Sequence, residues 1–197
     1  MMKKVHSINL IVSLVVAILV LKGDAIAKEW LFPLALSYVH GFSDVVDLYE
    51  ENLEAEGLIV YDISSLPVGV SFHPFIQFDN GLRAGTGIGP IMVILSDYAS
   101  HFELPINLNA GYTFNILTNL SLYARTGIMY HIVSGEYVKK SNPGIFGAVG
   151  MMHKFWDFGA EIGYDASEVK FRKIDFYGND TESIKPIGLM ISLFWFF

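Results

Sequence analysis

The chain has 197 residues, 13 Lys plus Arg against 20 Asp plus Glu, a formal net charge of −7, no cysteine and 52 % hydrophobic residues. An acidic chain is a poor partner for nucleic acid, and without cysteines neither disulfides nor thiolate metal sites can hold the fold. High hydrophobicity with no run of ~20 apolar residues after the first 27 points away from membrane helices and toward membrane strands.

The chain opens as an export signal reads. Lys3 and Lys4 make a basic start, Ile8 to Leu21 an apolar core, and Ala25-Ile26-Ala27 a small-x-small cleavage pattern. Residues 1–27 are therefore expected to be a cleavable signal peptide and residues 28–197 one domain. Cleavage lowers Lys plus Arg from 13 to 10 and Asp plus Glu from 20 to 19, a net of −9.

The first strand is expected from Trp30 to His40, with Trp30, Phe32, Leu34, Leu36 and Tyr38 on a large apolar face and the small Pro33, Ala35 and Ser37 on the other. A long connection follows, from about Phe42 to Ile63. It carries Asp44, Asp47, Glu50, Glu51, Glu54 and Glu56 with no base among them, while Val45, Tyr49 and Leu53 recur every fourth position. That spacing suits a short amphipathic helix capped by Ser43 or Asp44. The segment reads mainly as a solvated acidic surface loop; it could gather divalent cations, but it lacks the Asp-x-Asp-x-Asp-Gly spacing of a calcium loop.

In the second strand Leu66, Val68, Val70 and Phe72 alternate with Ser65, Gly69, Ser71 and His73. Asp79-Asn80-Gly81 then signals a tight hairpin. The inward set on Leu82 to Leu95 is expected to be Arg83, Gly85, Gly87, Gly89, Ile91 and Val93. After a connection at Ser96 to Ser100, Phe102 to Phe114 alternates cleanly: Phe102, Leu104, Ile106 and Leu108 against Glu103, Pro105, Asn107 and Asn109. Leu122, Ile128, Tyr130 and Ile132 likewise oppose Tyr123, Arg125, Met129 and His131. In the sixth strand Gly150, Met152 and Lys154 look inward, and in the seventh Glu161 and Asp165 oppose Ile162 and Tyr164. Long connections at Gly135 to Pro143 and Phe171 to Ile184 bear Lys139, Lys140, Arg172 and Lys173, with Lys170 just before the second, placed to meet anionic lipid phosphates or the acidic first loop.

Eight strands joined alternately by short and long connections describe an all-β fold, an eight-stranded antiparallel up-and-down transmembrane β-barrel. Bulk decides which face is inside, since eight strands enclose little volume and only the small face fits there. A soluble ligand-carrying barrel, with its apolar face inward, is the inverse reading. The lumen would then hold a charge cluster of Arg83, Glu103, Arg125, Lys154, Glu161 and Asp165, expected to pair into a plug rather than to conduct ions. His73 and His131 lack metal-ligand spacing and should hydrogen-bond to neighbours. No zinc, Gly-x-Ser-x-Gly or phosphate-loop motif is present, so no metal, cofactor or catalytic residue is assigned.

The last strand, Ile187 to Phe197, places Leu189, Ile191, Leu193, Trp195 and Phe197 on one face. This resembles the terminal strand of small eight-stranded bacterial outer-membrane β-barrels, in which alternate apolar or aromatic residues ending in Phe are read by the barrel assembly machinery; Leu193, Trp195 and Phe197 match that signal. The resemblance implies an outer-membrane location, contact with membrane lipid and lipopolysaccharide, and a structural or surface-interaction role for the loops. It also implies two alternatives. One is a narrow conduit for small hydrophobic compounds, along Phe194, Phe196, Met190, Met152 and Met129. The other is a lipid-modifying hydrolase, for which His131 with Ser134 and Glu136, and His40 with Ser43, have the wrong spacing.

Overall fold

The computed structural model describes residues 27–58, 64–65, 67–153, 155–175 and 178–197. The expected signal segment up to residue 26, Ile63, Leu66 and Lys154 lie outside them. Fifteen strands are formed among the described residues: β1 (Ala27–Leu31), β2 (Leu34–Val39), β3 (Ser64–Ser65), β4 (Val68–Phe72), β5 (Phe75–Phe78), β6 (Leu82–Ile88), β7 (Met92–Leu95), β8 (Ser100–Leu117), β9 (Leu120–Gly135), β10 (Val138–Asn142), β11 (Gly144–His153), β12 (Phe158–Asp165), β13 (Glu168–Asp175), β14 (Gly178–Ile184) and β15 (Gly188–Trp195). Among the described residues one helix, α1 (Phe42–Ala55), follows β2.

Antiparallel pairing runs round a closed circuit of eight staves. β1 with β2, β4 with β5, and β6 with β7 form the first three; β8, β9, β11, β12 and β15 are the others, and β15 returns to β2 from Met190↔Val39 to Trp195↔Leu34. Closure removes the two free edges that an open sheet of these staves would have. The first three staves are interrupted at Pro33, Pro74 and Pro90, residues that cannot donate to a ladder. At the last of these the ladder to β8 steps from Ile88↔Ile106 to Met92↔Glu103, a one-residue bulge. Pro105 lies opposite that bulge, where its missing N–H is not required.

The bulge also corrects the expected face of β7. Beyond Gly89-Pro90 the alternation inverts, so Ile91 and Val93 point outward while Met92 and Ile94 are buried. Elsewhere the expected parity holds. On β8 and β9, Phe102, Leu108, Leu122, Tyr130 and Ile132 are exposed; Glu103, Asn107, Asn109, Tyr123, Arg125 and His131 are buried. Gly150 and Met152 also turn inward.

The Asp79-Asn80-Gly81 hairpin is a three-residue turn rather than a two-residue one. Gly81 N–H donates to Phe78 O, Leu82 N–H to Asn80 Oδ1, and only Gly81, at φ 85°, takes the left-handed conformation that glycine tolerates.

One end of the barrel carries the short turns, the start of β1 and the end of β15; the other carries the long connections. The described parts of those connections are folded. Helix α1 lies over the loop end, and β10, β13 and β14 form a three-stranded sheet beside it.

Candidate functional site

The lumen is filled in layers, and polar side chains occupy its middle. Arg125, on β9, grips Glu161, on β12, through Nε to Oε2 at 2.7 Å and Nη2 to Oε1 at 2.6 Å; Tyr123 adds an O–H donor to Oε2 at 2.9 Å. Both charged side chains are essentially inaccessible. A bidentate pair of this kind satisfies charge and hydrogen bonding together, which a buried ion pair requires. Arg83 departs from expectation: it pairs with no carboxylate among the described residues. Instead its guanidinium lies between two rings, 3.7 Å from the centroid of Phe75 and 4.3 Å from that of Tyr123. Below it Phe75, Tyr123 and Met152 pack with Leu31 and Phe196, closing the short-turn end.

Toward the loop end, His131 stands between two carboxylates. Its Nδ1 meets Glu103 Oε1, and its Nε2 lies 2.8 Å from Asp165 Oδ2. Glu103 also reaches His101 Nε2 at 3.0 Å, and His101 Nδ1 is 3.3 Å from the hydroxyl of Tyr49 on α1. Ser167 donates to Asp165 Oδ2 at 2.6 Å and lies 2.5 Å from His131 Nε2. A continuous polar chain thus joins the helix to β8, β9 and β12. Glu103 and Asp165 are paired with histidines.

The juxtaposition of Ser167, His131 and Glu103 has the residue types of an acyl-transfer triad, but Asp165 competes with His131 for the serine hydroxyl. A nucleophilic serine needs a base with a lone pair toward its hydroxyl. Here that hydroxyl donates to Asp165, the same oxygen shares His131 Nε2, and Ser167 is buried. The groupings weighed from sequence do not assemble: Glu136 binds the Ser100 backbone N–H at 2.7 Å, and Ser43 donates to His40 O at 2.9 Å.

Above this chain sits an apolar cap. Phe42, Val45, Leu48, Tyr49 and Leu53 of α1 pack with Met92, Ile94, Met129, Phe146, Val169, Phe171, Ile187 and Met190. This corrects the reading of the first connection as a mainly solvated loop. Its four-residue apolar repeat faces down into the barrel mouth, and the carboxylates of Asp44, Asp47, Glu51, Glu54 and Glu56 are on the exposed side, with Glu50 at its margin. The helix is capped at Gly41, not at Ser43 or Asp44. Met129 and Met190 belong to the cap and Met152 to the opposite cluster, so they line no single apolar path.

Acid on α1 meets base on β13. Lys173 Nζ lies 2.9 Å from Glu51 and 3.0 Å from Glu182, which raise its pKa, and Arg172 reaches Glu56 at 3.9 Å. Tyr137 donates to Glu56 at 3.1 Å; burial, and then that carboxylate, push its hydroxyl up to about 12. The surface pairs are worth little individually. The stronger tie is Asn52, fully buried, whose Nδ2 donates to Arg172 O and whose Oδ1 accepts from Ile174 N–H, both at 2.7 Å. These backbone groups lie past the stretch of β13 that pairs with β10, so Asn52 completes an open ladder edge. Asn52→Ala orphans two buried backbone groups at about 1–3 kcal/mol each. Amide exchange at Ile174 should rise sharply while that of β8 and β9 stays unchanged; unchanged protection at Ile174 would show that the edge is held by other means.

Leu193 and Trp195 are exposed on the outer face of β15, with Phe197 just beyond its end. No protein-family model matches the chain, and no curated protein matches it either.

Proposed function

We propose that this protein is an integral outer-membrane β-barrel with a sealed lumen, exported by a cleaved signal, and that its role is structural or interactive through the loop-end cap rather than transport or catalysis. The observation that carries the reading is the outer surface. Leu36, Val70, Ile88, Leu108, Ile132, Ile145, Val149, Ile162, Ile191 and Leu193 form an exposed apolar belt round the staves. Trp30, Trp156 and Trp195 lie toward its short-turn margin, and Tyr38, Tyr130 and Tyr164 toward its loop margin. A patch of this extent is untenable in water. On β9 the outward run Leu122 to Ile132 covers eleven residues, the length a tilted strand needs to cross a bilayer's core.

The inverse, soluble barrel is disfavoured because Ser, Asn and Gly occupy the inside and large apolar side chains the outside. Filled layers at mid-lumen and at both ends argue against a conduit. Burial of Ser167, with Asp165 competing for its hydroxyl, argues against hydrolysis. What remains for partners is the exposed top, with Asp44, Asp47 and Glu54 on one element and Lys139, Lys140 and Lys170 on the sheet beside it; lipopolysaccharide phosphates and bridging divalent cations fit that mixed surface.

Membrane fractionation followed by electrophoresis with and without boiling tests the reading. The protein should appear in the outer membrane and change mobility on heating, as a closed detergent-resistant barrel does; a soluble, heat-indifferent band would invert it. Leu108→Arg, near the middle of β8, should cost about 2–4 kcal/mol in lipid. Little or no cost would place this face in water.

A further inference from the structure

We propose that the lumen holds one small monovalent inorganic anion, of the chloride type, bound by Asn107 and His73 in the field of Arg83. The polar layer around Arg83 contains more hydrogen-bond donors than acceptors. Asn109 Nδ2 donates to Asn107 Oδ1 at 2.8 Å, which turns the Asn107 amide nitrogen away from Asn109 and leaves it without a partner. His73 Nε2 lies 2.8 Å from Ser71 Oγ; in the tautomer in which Nε2 accepts from that hydroxyl, Nδ1 carries the ring proton and has no partner, and the ring is fixed edge-on against Phe194 at 5.6 Å. Both nitrogens converge over Gly87. A Cβ at that position would stand 2.3 Å from Asn107 Nδ2 and 2.5 Å from His73 Nδ1, so only glycine lets them come so close. The two nitrogens are therefore within about 5 Å of each other, a separation that one acceptor at roughly 3 Å from each would bridge.

Charge selects an anion over a neutral acceptor. Arg83 is almost wholly buried, its Nε and Nη1 lack partners, and Arg125 has already engaged Glu161. Among the described residues two guanidinium groups face one carboxylate in this layer, an excess of one positive charge, and both are near enough to His73 for their charges to act on it. An uncompensated buried charge is costly, and stacking on Phe75 and Tyr123 offsets only part of the cost. One monovalent anion supplies an acceptor for the converging donors and neutralises the layer. With both ends of the lumen packed, it would be enclosed as the barrel closes.

The test is to refold the full chain into detergent micelles in sodium bromide and locate bromine by anomalous diffraction. A single internal peak against Asn107 Nδ2 and His73 Nδ1 is expected. A water with no anomalous signal at that place, with bromide found at exposed lysines as an adventitious ion only, overturns the proposal. Asn107→Asp carries its own negative charge to the same position and should abolish the internal peak. It should also remove the rise in unfolding temperature that bromide gives the parent protein over sodium isethionate at equal ionic strength. Arg83→Gln, which keeps a polar side chain without the charge, serves if Asn107→Asp does not refold; its bromide affinity should fall at least tenfold, and an unchanged affinity would also overturn the proposal.

Discussion

Replacing Glu161 with leucine is expected to destabilise the refolded barrel by about 3–5 kcal/mol, the cost of leaving a buried partner charge uncompensated. Arg125 would lose both of its carboxylate contacts, Tyr123 its acceptor, and Arg83 a nearby carboxylate. Three buried donors and two positive charges would then share a space from which water is largely excluded. The double variant Arg125→Met with Glu161→Leu should recover most of the loss, because apolar side chains of similar volume can replace a buried pair at little net cost. Urea titration in micelles, scored by the fraction of protein keeping its heat-modifiable mobility, gives both midpoints. If the single variant matched the parent, the pair would be wet and the mid-lumen layer open to solvent. If the double variant were as unstable as the single one, the energy would reside in the packing of Tyr123 and Arg83 rather than in the ion pair.

The barrel walls were legible because a strand buried on one face and exposed on the other writes its geometry into a two-residue period, as Phe102 to Phe114 does. Inward placement of Arg125, Glu161, Glu103 and Asp165 followed from that period alone. Their partners did not, because choosing among them depends on height in the barrel. His131 lies six residues beyond Arg125 on β9, which brings it to Asp165 while Glu161 falls to Arg125. Ser167 was invisible for a similar reason, since it reaches His131 only after β12 has ended and the chain has turned back over the rim. The face of β7 was misread because periodicity cannot show a bulge, although Gly89-Pro90 opposite Pro105 was a local signal that a ladder was broken there. Arg83 was misassigned by counting charges alone, when an arginine flanked by inward aromatics has stacking as a competing solution. The cap was half legible. The repeat of Val45, Tyr49 and Leu53 marked an apolar face, but a helix does not say what covers that face, and Val169 and Phe171 arrive from more than a hundred residues away.

Tyr49→Ala is expected to release the cap without opening the barrel wall. Tyr49 is the largest fully buried side chain of the cap; its ring meets Tyr137 at 4.9 Å, His101 at 5.4 Å and Phe171 at 6.4 Å, and its hydroxyl ends the polar chain that begins at Ser167. Truncating a buried aromatic of this size costs about 3–5 kcal/mol. A 14-residue helix has little stability of its own in water, so the loss should appear as local opening of α1 rather than as global unfolding. Amide protection across Phe42 to Ala55 should fall by two or more orders of magnitude, while β8, β9 and β15 keep theirs and the heat-dependent mobility shift persists. Ion flux through planar bilayers should nevertheless stay at background, because Arg125, Glu161, Tyr123 and Arg83 still fill the lumen below. Conductance in Tyr49→Ala alone would identify α1 as the sole seal and make the polar layer a lined path. Conductance only after Arg125→Ala and Glu161→Ala are added would establish two seals in series, the arrangement expected of a barrel that holds its loops in place and passes nothing through its interior.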